Sequence, residues 1–235
     1  STGLKKNINP LANFYEVDIR DFDNVKMVFE KERPDYVNHH AAQMDVRRST
    51  QDPVFDAECN SLGSLNLIMN SVKLDIKKFI YISTGGAVYG EPEEKDLPVT
   101  EEYPLYPICQ YGISKHTVEH YLYLYRRNSG LNYTVLRYPN VYGPRQNPHG
   151  EAGVIAIFLG LMLNGKRPTI FGDGTQTRDY TFVGDIVDAN LLVMEKGDGE
   201  IYNIGTGVET SVQQIVDTIK ELLEIELEPI YADER

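Results

Sequence analysis

Lys78-Phe-Ile-Tyr-Ile82, followed by Ser83-Thr84, is the stretch that decides the fold class of this 235-residue chain. The run is apolar after its first residue, as expected of a strand that is buried on both faces of a parallel sheet. Further short strands are predicted at Asn13-Phe-Tyr-Glu-Val17, Tyr36-Val-Asn-His-His40 and Tyr133-Thr-Val-Leu-Arg137. The spacing between these strands leaves room for a helix after each of them.

Helix signals fill those intervals. Helices are predicted from Asp21 or Asp23 to about Arg33, from about Pro53 to Lys73, and from the segment that carries Tyr111 to about Asn128. The alternation predicts an α/β fold with a doubly wound, Rossmann-like parallel sheet that is incomplete at the N-terminus. Ligands of such sheets bind beyond the carboxyl ends of the strands, where His40, Ser83-Thr84 and Tyr138 are expected. Residues 85–107 are predicted to form a loop.

The pattern changes after Pro144. Predicted there are a helix over about Glu151 to Asn164, a strand at Arg178–Phe182, a helix capped by Asp185 that ends near Lys196, a strand ending at Tyr202–Gly205, and a last helix that starts at Thr210 or Ser211. The sequence therefore predicts a Rossmann-like domain over residues 1–144. A smaller, interleaved substrate lobe is predicted for most of 145–235, with about 181–205 returning to the main sheet.

Composition excludes several classes of function. The net charge of −12 argues against binding of nucleic acid or of an anionic membrane. The longest apolar stretch, Val154 to Leu163, is too short to span a bilayer. Cys59 and Cys109 form no disulfide framework, which fits a reducing cytoplasm. No further ligand is spaced to join His39 and His40 in a metal site.

Tyr111-Gly-Ile-Ser-Lys115 is the candidate catalytic motif. Residues four apart share one face of a helix, so the ammonium of Lys115 is predicted to lie beside the phenol of Tyr111. A neighbouring positive charge favours the phenolate and would turn the tyrosine into a base. A chain with 16 tyrosines contains such a spacing by chance, so the motif depends on its context.

Nine segments in a fixed order supply that context. They are Val17-Asp-Ile-Arg20, His39-His-Ala-Ala-Gln43, Asn60, Ser83-Thr-Gly-Gly-Ala-Val-Tyr-Gly90, Tyr111…Lys115, Leu136-Arg-Tyr-Pro-Asn-Val-Tyr-Gly-Pro144, Phe171-Gly-Asp-Gly174, Arg178-Asp-Tyr180 and Tyr202-Asn-Ile-Gly205. Together they resemble the extended short-chain dehydrogenase/reductase family, and within it the nucleotide-sugar branch. The resemblance covers essentially the whole chain.

The resemblance implies NAD as the cofactor. Asp18 is expected to accept from the adenine amino group while Ile19 packs on the ring. The other cofactor-binding residues that it implies are His40, Ala41, Ala42, Gln43, Met44, Asn60, Ile82, Ser83, Tyr111, Lys115, Tyr138 and Pro139. Residues 1–144 are accordingly expected to be the NAD-binding domain.

The resemblance also implies a UDP-sugar substrate. Tyr111, Lys115 and Thr84 are the implied catalytic residues, with Tyr111 taking a proton from a sugar hydroxyl. The implied substrate-binding residues are Val46, Thr84, Tyr111, Asn140, Val154, Phe171, Arg178 and Arg235. The implied activity is reversible oxidation at C4 of a UDP-hexose, which leads to epimerisation.

The N-terminus departs from the family pattern. Ser1-Thr-Gly3 corresponds to the sequence that follows the family's Gly-rich phosphate loop and second strand. The chain is therefore expected to be a fragment, or the ordered part, of a longer protein. Its affinity for the cofactor is expected to be reduced without that loop.

The second departure concerns a catalytic hydroxyl. The family usually places Ser or Thr at the position of Gly85. Either Thr84 replaces it, which requires that the strand has already ended, or water does, or Tyr111 works without a helper. The related dehydratases carry an Asp-Glu pair at the positions of Gly86 and Ala87, so this chain favours epimerisation.

Three further expectations stay open. The activity could be that of a UDP-glucuronate epimerase or decarboxylase, or of an N-acetyl-hexosamine epimerase, on the same scaffold. The protein could instead bind a nucleotide sugar without turnover. A homodimer is expected from the apolar, aromatic helix at Val118–Tyr125 and the helix around Leu62–Met69, although ordinary packing against the sheet explains both equally well.

Overall fold

The structure is a computed structural model that describes residues 3–148 and 153–234. Its helices are α1 Phe22–Glu32, α2 Val46–Gln51, α3 Pro53–Ala57, α4 Gly63–Lys73, α5 Gly85–Val88, α6 Gln110–Ser129, α7 Val154–Leu163, α8 Val183–Glu195 and α9 Val212–Leu223. Its strands are β1 Tyr36–His39, β2 Lys78–Thr84, β3 Tyr133–Tyr138, β4 Asn140–Tyr142, β5 Thr169–Phe171, β6 Thr177–Phe182, β7 Ile201–Asn203, β8 Glu209–Ser211 and β9 Ile230–Ala232.

Two compact units divide the chain. The first comprises Ser1–Tyr138 with Asn190–Asn203, and the second comprises Pro139–Ala189 with Ile204–Arg235. The predicted domain boundary at 144 thus falls six residues later than the boundary between the units. The predicted return to the main sheet over about 181–205 is narrower in the structure, where it covers 190–203.

A four-stranded parallel sheet with the order β1-β2-β3-β7 forms the first unit. The predicted α/β class with a parallel sheet is confirmed. Apolar side chains of α4, α6, β2 and β3 build its main core, which includes Ile68, Phe79, Tyr81, Val118 and Val135. Every residue of β2 up to Ser83 is buried, as its apolar run predicts. The sheet thereby fixes the position of its carboxyl edge.

The predicted strand at Asn13–Val17 is wrong. The segment has no regular secondary structure. A strand requires a hydrogen-bonded neighbour, and no strand of the described residues pairs with this segment. Side chains hold it instead, since Asn13 Nδ2 and the hydroxyl of Tyr15 both donate to the carboxylate of Glu32 on α1.

Helix boundaries are largely as predicted, with three corrections. The long helix is interrupted by a π-helical segment, Glu58–Leu62, which joins α3 to α4. The predicted loop 85–107 contains the short helix α5 and a 3₁₀ turn at Glu94–Asp96. Asp185 lies in the first turn of α8, which begins two residues earlier, and therefore is not its cap.

The second unit has its own core. In it β6 pairs with β4 in parallel and with β8 in antiparallel orientation, while β5 and β9 form a separate parallel pair. Phe158, Ile170, Val212 and Val216 are among the apolar residues that pack together between α7, α9 and β5. Ser211 caps α9 in a capping box with Gln214, which confirms one of its two predicted starting points. No helix of the described residues is long and apolar enough to cross a membrane.

Candidate active site

The N-terminal turn of α6 carries Tyr111 and Lys115. Cys109 caps this helix, and its sulfur accepts from the backbone N–H of Gly112 at 3.4 Å. Gly112 lets α6 approach α5 closely, because a Cβ at this position would lie only 2.4 Å from the carbonyl oxygen of Ala87. The local sequence thus places the tyrosine–lysine pair in close contact with the segment that follows β2.

Burial dominates the charge states of this pair. It raises the pKa of Tyr111 to about 12, and the nearby Asp56 and Cys109 act in the same direction. It also lowers the pKa of Lys115 to about 7, although the carboxylates of Glu119 and Asp56 oppose the shift. The pKa of Tyr111 is therefore raised, whereas the sequence predicts that Lys115 lowers it. Lys115 has already lost its proton at the pH where Tyr111 would ionise.

Thr84 is the hydroxyl that the structure brings to Tyr111. A hydrogen-bonding interaction with Thr84 lowers the pKa of the phenol and partly offsets burial. The expectation that this requires the strand to have ended is wrong, because β2 runs through Thr84 and α5 begins at Gly85. Ser83 contacts the same helix farther along, where its Oγ donates to Glu119 Oε1 at 2.5 Å.

The ammonium of Lys115 has unused hydrogen-bonding capacity. Its Nζ lies 4.4 Å from the ring centroid of Tyr81, and no residue of the described chain accepts a hydrogen bond from it. The side chain is 3% exposed. An ammonium has three N–H donors, so the site suits a ligand with hydroxyl acceptors, such as the ribose of a nicotinamide nucleotide.

Two histidines lie at the carboxyl end of β1, His39 as its last residue and His40 directly after it. Burial lowers the pKa of His39 to about 3, so its ring is neutral at pH 7, and its Nε2 lies 2.8 Å from Ser64 Oγ. His40 is exposed, and its Nε2 lies 3.3 Å from the hydroxyl of Tyr138, to which the amide of Asn190 donates. Ala41 and Ala42 continue the segment with small, exposed side chains that leave its backbone approachable.

Asn60 fixes the end of that segment. Its Oδ1 accepts from the backbone N–H of Gln43 at 2.8 Å, and its Nδ2 donates to the carbonyl of Gln43 at 2.9 Å. Met44 and Val46, which follow, are both exposed. Asn60 lies in the π-helical segment, so this irregular turn of the helix positions the side chain that holds the backbone of Gln43.

Asp18 is already paired in the structure. Its carboxylate binds Arg20 at 2.7 Å, and these hydrogen bonds hold the pKa of Asp18 below its ordinary value. Ile19 packs against Gly63, where a Cβ would lie 2.7 Å from Ile19 Cδ1. An open depression beside them is lined by Asp18, Arg20, Asp21, Glu58 and Leu62. An adenine amino group would share Asp18 with Arg20.

The remaining predicted residues lie in the second unit. Pro139 and Asn140 stand at the start of β4, and Tyr180 is the β6 partner of Asn140. Val154 is the first residue of α7, and Phe171 ends β5. Arg178 is exposed, and no carboxylate of the described residues forms an ion pair with it, which leaves its guanidinium available to an anion. Arg235 lies outside the described residues.

A buried network that sequence reasoning missed lies behind the catalytic pair. Arg137 binds Glu119 through Nη2 at 2.6 Å and the hydroxyl of Tyr89 through Nη1 at 2.7 Å. Tyr89 in turn donates to Asn203 Oδ1 at 2.6 Å. One sequence signal for it exists, because Glu119 is a charged residue within the mostly apolar and aromatic stretch Val118–Tyr125. The network links three of the recognised motifs through side chains rather than through a ligand.

The fold and the site define a class. A parallel α/β sheet with a buried tyrosine–lysine pair beside its carboxyl edge is the arrangement of enzymes that use a nicotinamide cofactor for proton and hydride transfer. The part of the chain that the structure describes contains no group of three or more His, Cys, Asp or Glu side chains that could hold a metal ion. The chain belongs to the NAD dependent epimerase/dehydratase family, whose sequence pattern matches residues 1–205.

Several relatives support this assignment. The chain is 49% identical to a putative UDP-glucose 4-epimerase of Methanocaldococcus jannaschii, over 98% of this chain and 74% of the relative. It resembles the solved UDP-glucose 4-epimerase of Thermotoga maritima with UDP-glucose (TM-score 0.97, 50% identity), and that of Thermus thermophilus in complex with NAD (TM-score 0.94, 40% identity). Both comparisons cover 100% of this chain and 76% of the other.

Proposed function

We propose that this protein catalyses NAD-dependent epimerisation at C4 of a UDP-hexose, interconverting UDP-glucose and UDP-galactose. The observation that carries the proposal is the buried pair of Tyr111 and Lys115 with the hydroxyl of Thr84 beside the phenol. The relatives named above, two of which were solved with UDP-glucose or NAD, support the same reaction and cofactor.

Tyr111 is the proposed base. As phenolate it accepts the proton of the C4 hydroxyl, and as phenol it returns a proton when the 4-keto sugar is reduced. Thr84 donates to the phenolate oxygen and holds it in place. Lys115 must carry its proton to stabilise the phenolate. The pair therefore works only when binding of substrate and cofactor brings the pKa of Tyr111 below that of Lys115, and then in the pH window between the two values.

The residues of the site fit NAD. The donors of Lys115 suit ribose hydroxyls, and the backbone of Ala41 and Ala42 is approachable for a phosphate or ribose. The chemistry supplied by bound NAD⁺ is reversible hydride transfer at C4 of the sugar. The positive ring of a bound NAD⁺ would favour the phenolate of Tyr111, which burial disfavours.

The second unit is proposed to bind the UDP moiety. The guanidinium of Arg178 matches the geometry of a diphosphate, and it has no carboxylate partner among the described residues. Asn140 offers a side-chain amide, and Phe171 offers an aromatic face for the uracil. Together with Val154 at the start of α7, these residues form the proposed nucleotide-binding set. Arg235 is proposed as a second phosphate ligand on the family resemblance alone.

A panel of substrates tests the proposal. The protein is incubated with NAD and with UDP-galactose, UDP-N-acetylgalactosamine or UDP-glucuronate, and the products are separated by chromatography. Conversion of UDP-galactose to UDP-glucose at the highest rate is expected. Preference for another sugar nucleotide would assign a different epimerase, and loss of water or carbon dioxide from the sugar would assign a dehydratase or a decarboxylase. Binding without turnover would contradict an enzymatic role.

We further propose a homodimer that works in a reducing cytoplasm. Large apolar side chains on neighbouring parts of the first unit are exposed, namely Leu62, Met69, Ile113, Tyr123 and Leu124. Pairing of two copies through α4 and α6 would cover them. Light scattering that finds only monomer at micromolar concentration would contradict the dimer. The thiols of Cys59 and Cys109 are both free, which suits a reducing compartment.

A further inference from the structure

Asp56 is a buried carboxylate with one unused oxygen. It lies on α3, and only 1% of it is exposed. Its Oδ1 accepts from Asn60 Nδ2 at 3.1 Å and from Gln43 Nε2 at 3.2 Å. Its Oδ2 is buried and has no hydrogen-bond partner among the described residues. A buried, unpaired carboxylate oxygen destabilises a fold, so its retention needs a reason.

The carboxylate is tied to the catalytic helix. Asn60 Nδ2, which donates to Asp56, also lies 3.1 Å from the Oγ of Ser114 on α6. Ser114 in turn donates to the carbonyl of Tyr111 at 3.0 Å and directly precedes Lys115 in the chain. A short chain of side-chain hydrogen bonds therefore fixes Asp56 relative to the tyrosine–lysine pair.

Two carboxylates raise the pKa of Lys115, that of Glu119 more than that of Asp56, and they differ in whether a cation balances them. His39 and His40 on the β1 side and Tyr81 on β2 are neutral at pH 7, as is Tyr111 in the cofactor-free protein. On α6, the carboxylate of Glu119 is balanced by the guanidinium of Arg137 at 2.6 Å. Asp56, by contrast, is bound only by neutral side-chain amides. Its negative charge is thus the one near Lys115 that no cation pairs with among the described residues.

We propose that Asp56 is a positioning residue whose carboxylate is the counter-charge of Lys115 and holds it as an ammonium beside Tyr111. The charge also repels a phenolate, so Asp56 stabilises the protonated form of both members of the pair. Its charge therefore sets where on the pH scale the working window of the pair lies.

The sign of this effect is the same for both groups. A nearby carboxylate raises the pKa of Lys115 and that of Tyr111, as it does in this structure. Removing the charge should shift both titrations to lower pH. A variant that merely loosened the helix packing would lower activity without moving them in parallel.

Asp56→Asn tests the proposal, because the amide retains an oxygen that can accept from Asn60 and Gln43. Asp52→Asn is the matched control: it removes the same charge from an exposed position at the start of α3, where Asn caps a helix as well as Asp. Lysine-specific carbon-13 NMR of the full chain, with Lys115→Met to assign the resonance, follows Lys115 without substrate or cofactor. The rate of UDP-galactose conversion is measured against pH in parallel.

Asp56→Asn should lower the midpoint of the Lys115 titration by roughly one pH unit, and Asp52→Asn should leave it in place. Both limbs of the pH–rate profile of Asp56→Asn should also move to lower pH. An unmoved Lys115 midpoint in folded Asp56→Asn would overturn the proposal, whatever the activity. If Asp56→Asn does not fold, Asp56→Ser must show the same shift.

The prediction for the pH–rate profile rests on the proposed function, whereas the prediction for the NMR titration of Lys115 does not. If the midpoint of the Lys115 titration shifts in Asp56→Asn but neither the unmodified protein nor any variant has epimerase activity, the role proposed for Asp56 is supported and the proposed function is refuted.

Discussion

Lys115 occupies a position that disfavours its own charge. Its side chain is buried, its ammonium contacts the ring of Tyr81, and no described residue accepts a hydrogen bond from it. Desolvation penalises the charged form and therefore lowers the pKa of Lys115 to about 7. Such a residue is retained for function rather than for stability.

Lys115→Met is therefore expected to stabilise the protein while it abolishes turnover. Between pH 7 and the ordinary lysine pKa of 10.5, the unfolded chain binds one proton more than the native protein at this residue. Native stability therefore rises with pH across that interval, and the penalty of burying Lys115 is largest below pH 7. The substitution should raise the free energy of unfolding by roughly 2–4 kcal/mol at pH 7, and by much less near pH 10.

Urea denaturation at the two pH values measures this gain. Lys6→Met is the control, because it removes the same charge from an exposed residue. A gain that does not depend on pH, or a loss of stability at pH 7, would show that Lys115 is not desolvated as described.

At the residue scale, sequence predicts identities better than charge states. The spacing of Tyr111 and Lys115 correctly predicts that they share a helix, because the helical repeat is local. The order of their pKa values depends on burial by the sheet, which no local pattern encodes. The proximity of Thr84 to Tyr111 depends likewise on the packing of β2 against α6, which is not local in sequence. The proposed binding roles of the other residues remain predictions.

Four elements of the first unit are joined by a single buried ion pair. Glu119 on α6 and Arg137 on β3 are 4% and 2% exposed. Ser83 on β2 donates to Glu119, and Tyr89 connects Arg137 to Asn203 on β7. Such a pair stabilises a fold only while it is complete, because each lone charge would remain desolvated.

Glu119→Leu should consequently lower the free energy of unfolding by about 3–5 kcal/mol, and so should Arg137→Met. The double variant Glu119→Leu with Arg137→Met removes both charges and should be clearly more stable than either single variant. Urea denaturation of both single variants and of the double variant measures the coupling between the two residues. Additive losses would contradict a tightly coupled pair.

Elements whose signals are local follow the sequence most closely. Asp21 caps α1 and Ser211 caps α9, each being one of the two residues that the sequence predicts for that position, because a cap bonds within its own first turn. Asn13–Val17 fails as a strand because pairing is non-local, and its alternating pattern cannot supply a partner. The π-helical segment at Glu58–Leu62 could not be predicted, because no residue type in it distinguishes it from an ordinary α-helix.

At the scale of the whole molecule, interleaving is the main feature. The chain leaves the first unit after Tyr138, returns for Asn190–Asn203, and leaves again. The sequence predicts such a return, since the order of motifs resembles the family, but it places the return nine residues early. That the first unit binds NAD and the second binds the UDP-sugar remains a proposal.

The measurement that tests the central claim most directly follows the hydrogen at C4. UDP-galactose that carries deuterium at C4 is converted by the protein with NAD, and by its Tyr111→Phe variant. The proposed mechanism predicts UDP-glucose that retains the deuterium at C4, because hydride leaves and returns at the same carbon. It also predicts that the variant is slower by at least about 100-fold. Loss of deuterium to solvent, or near-normal turnover of Tyr111→Phe, would contradict the account.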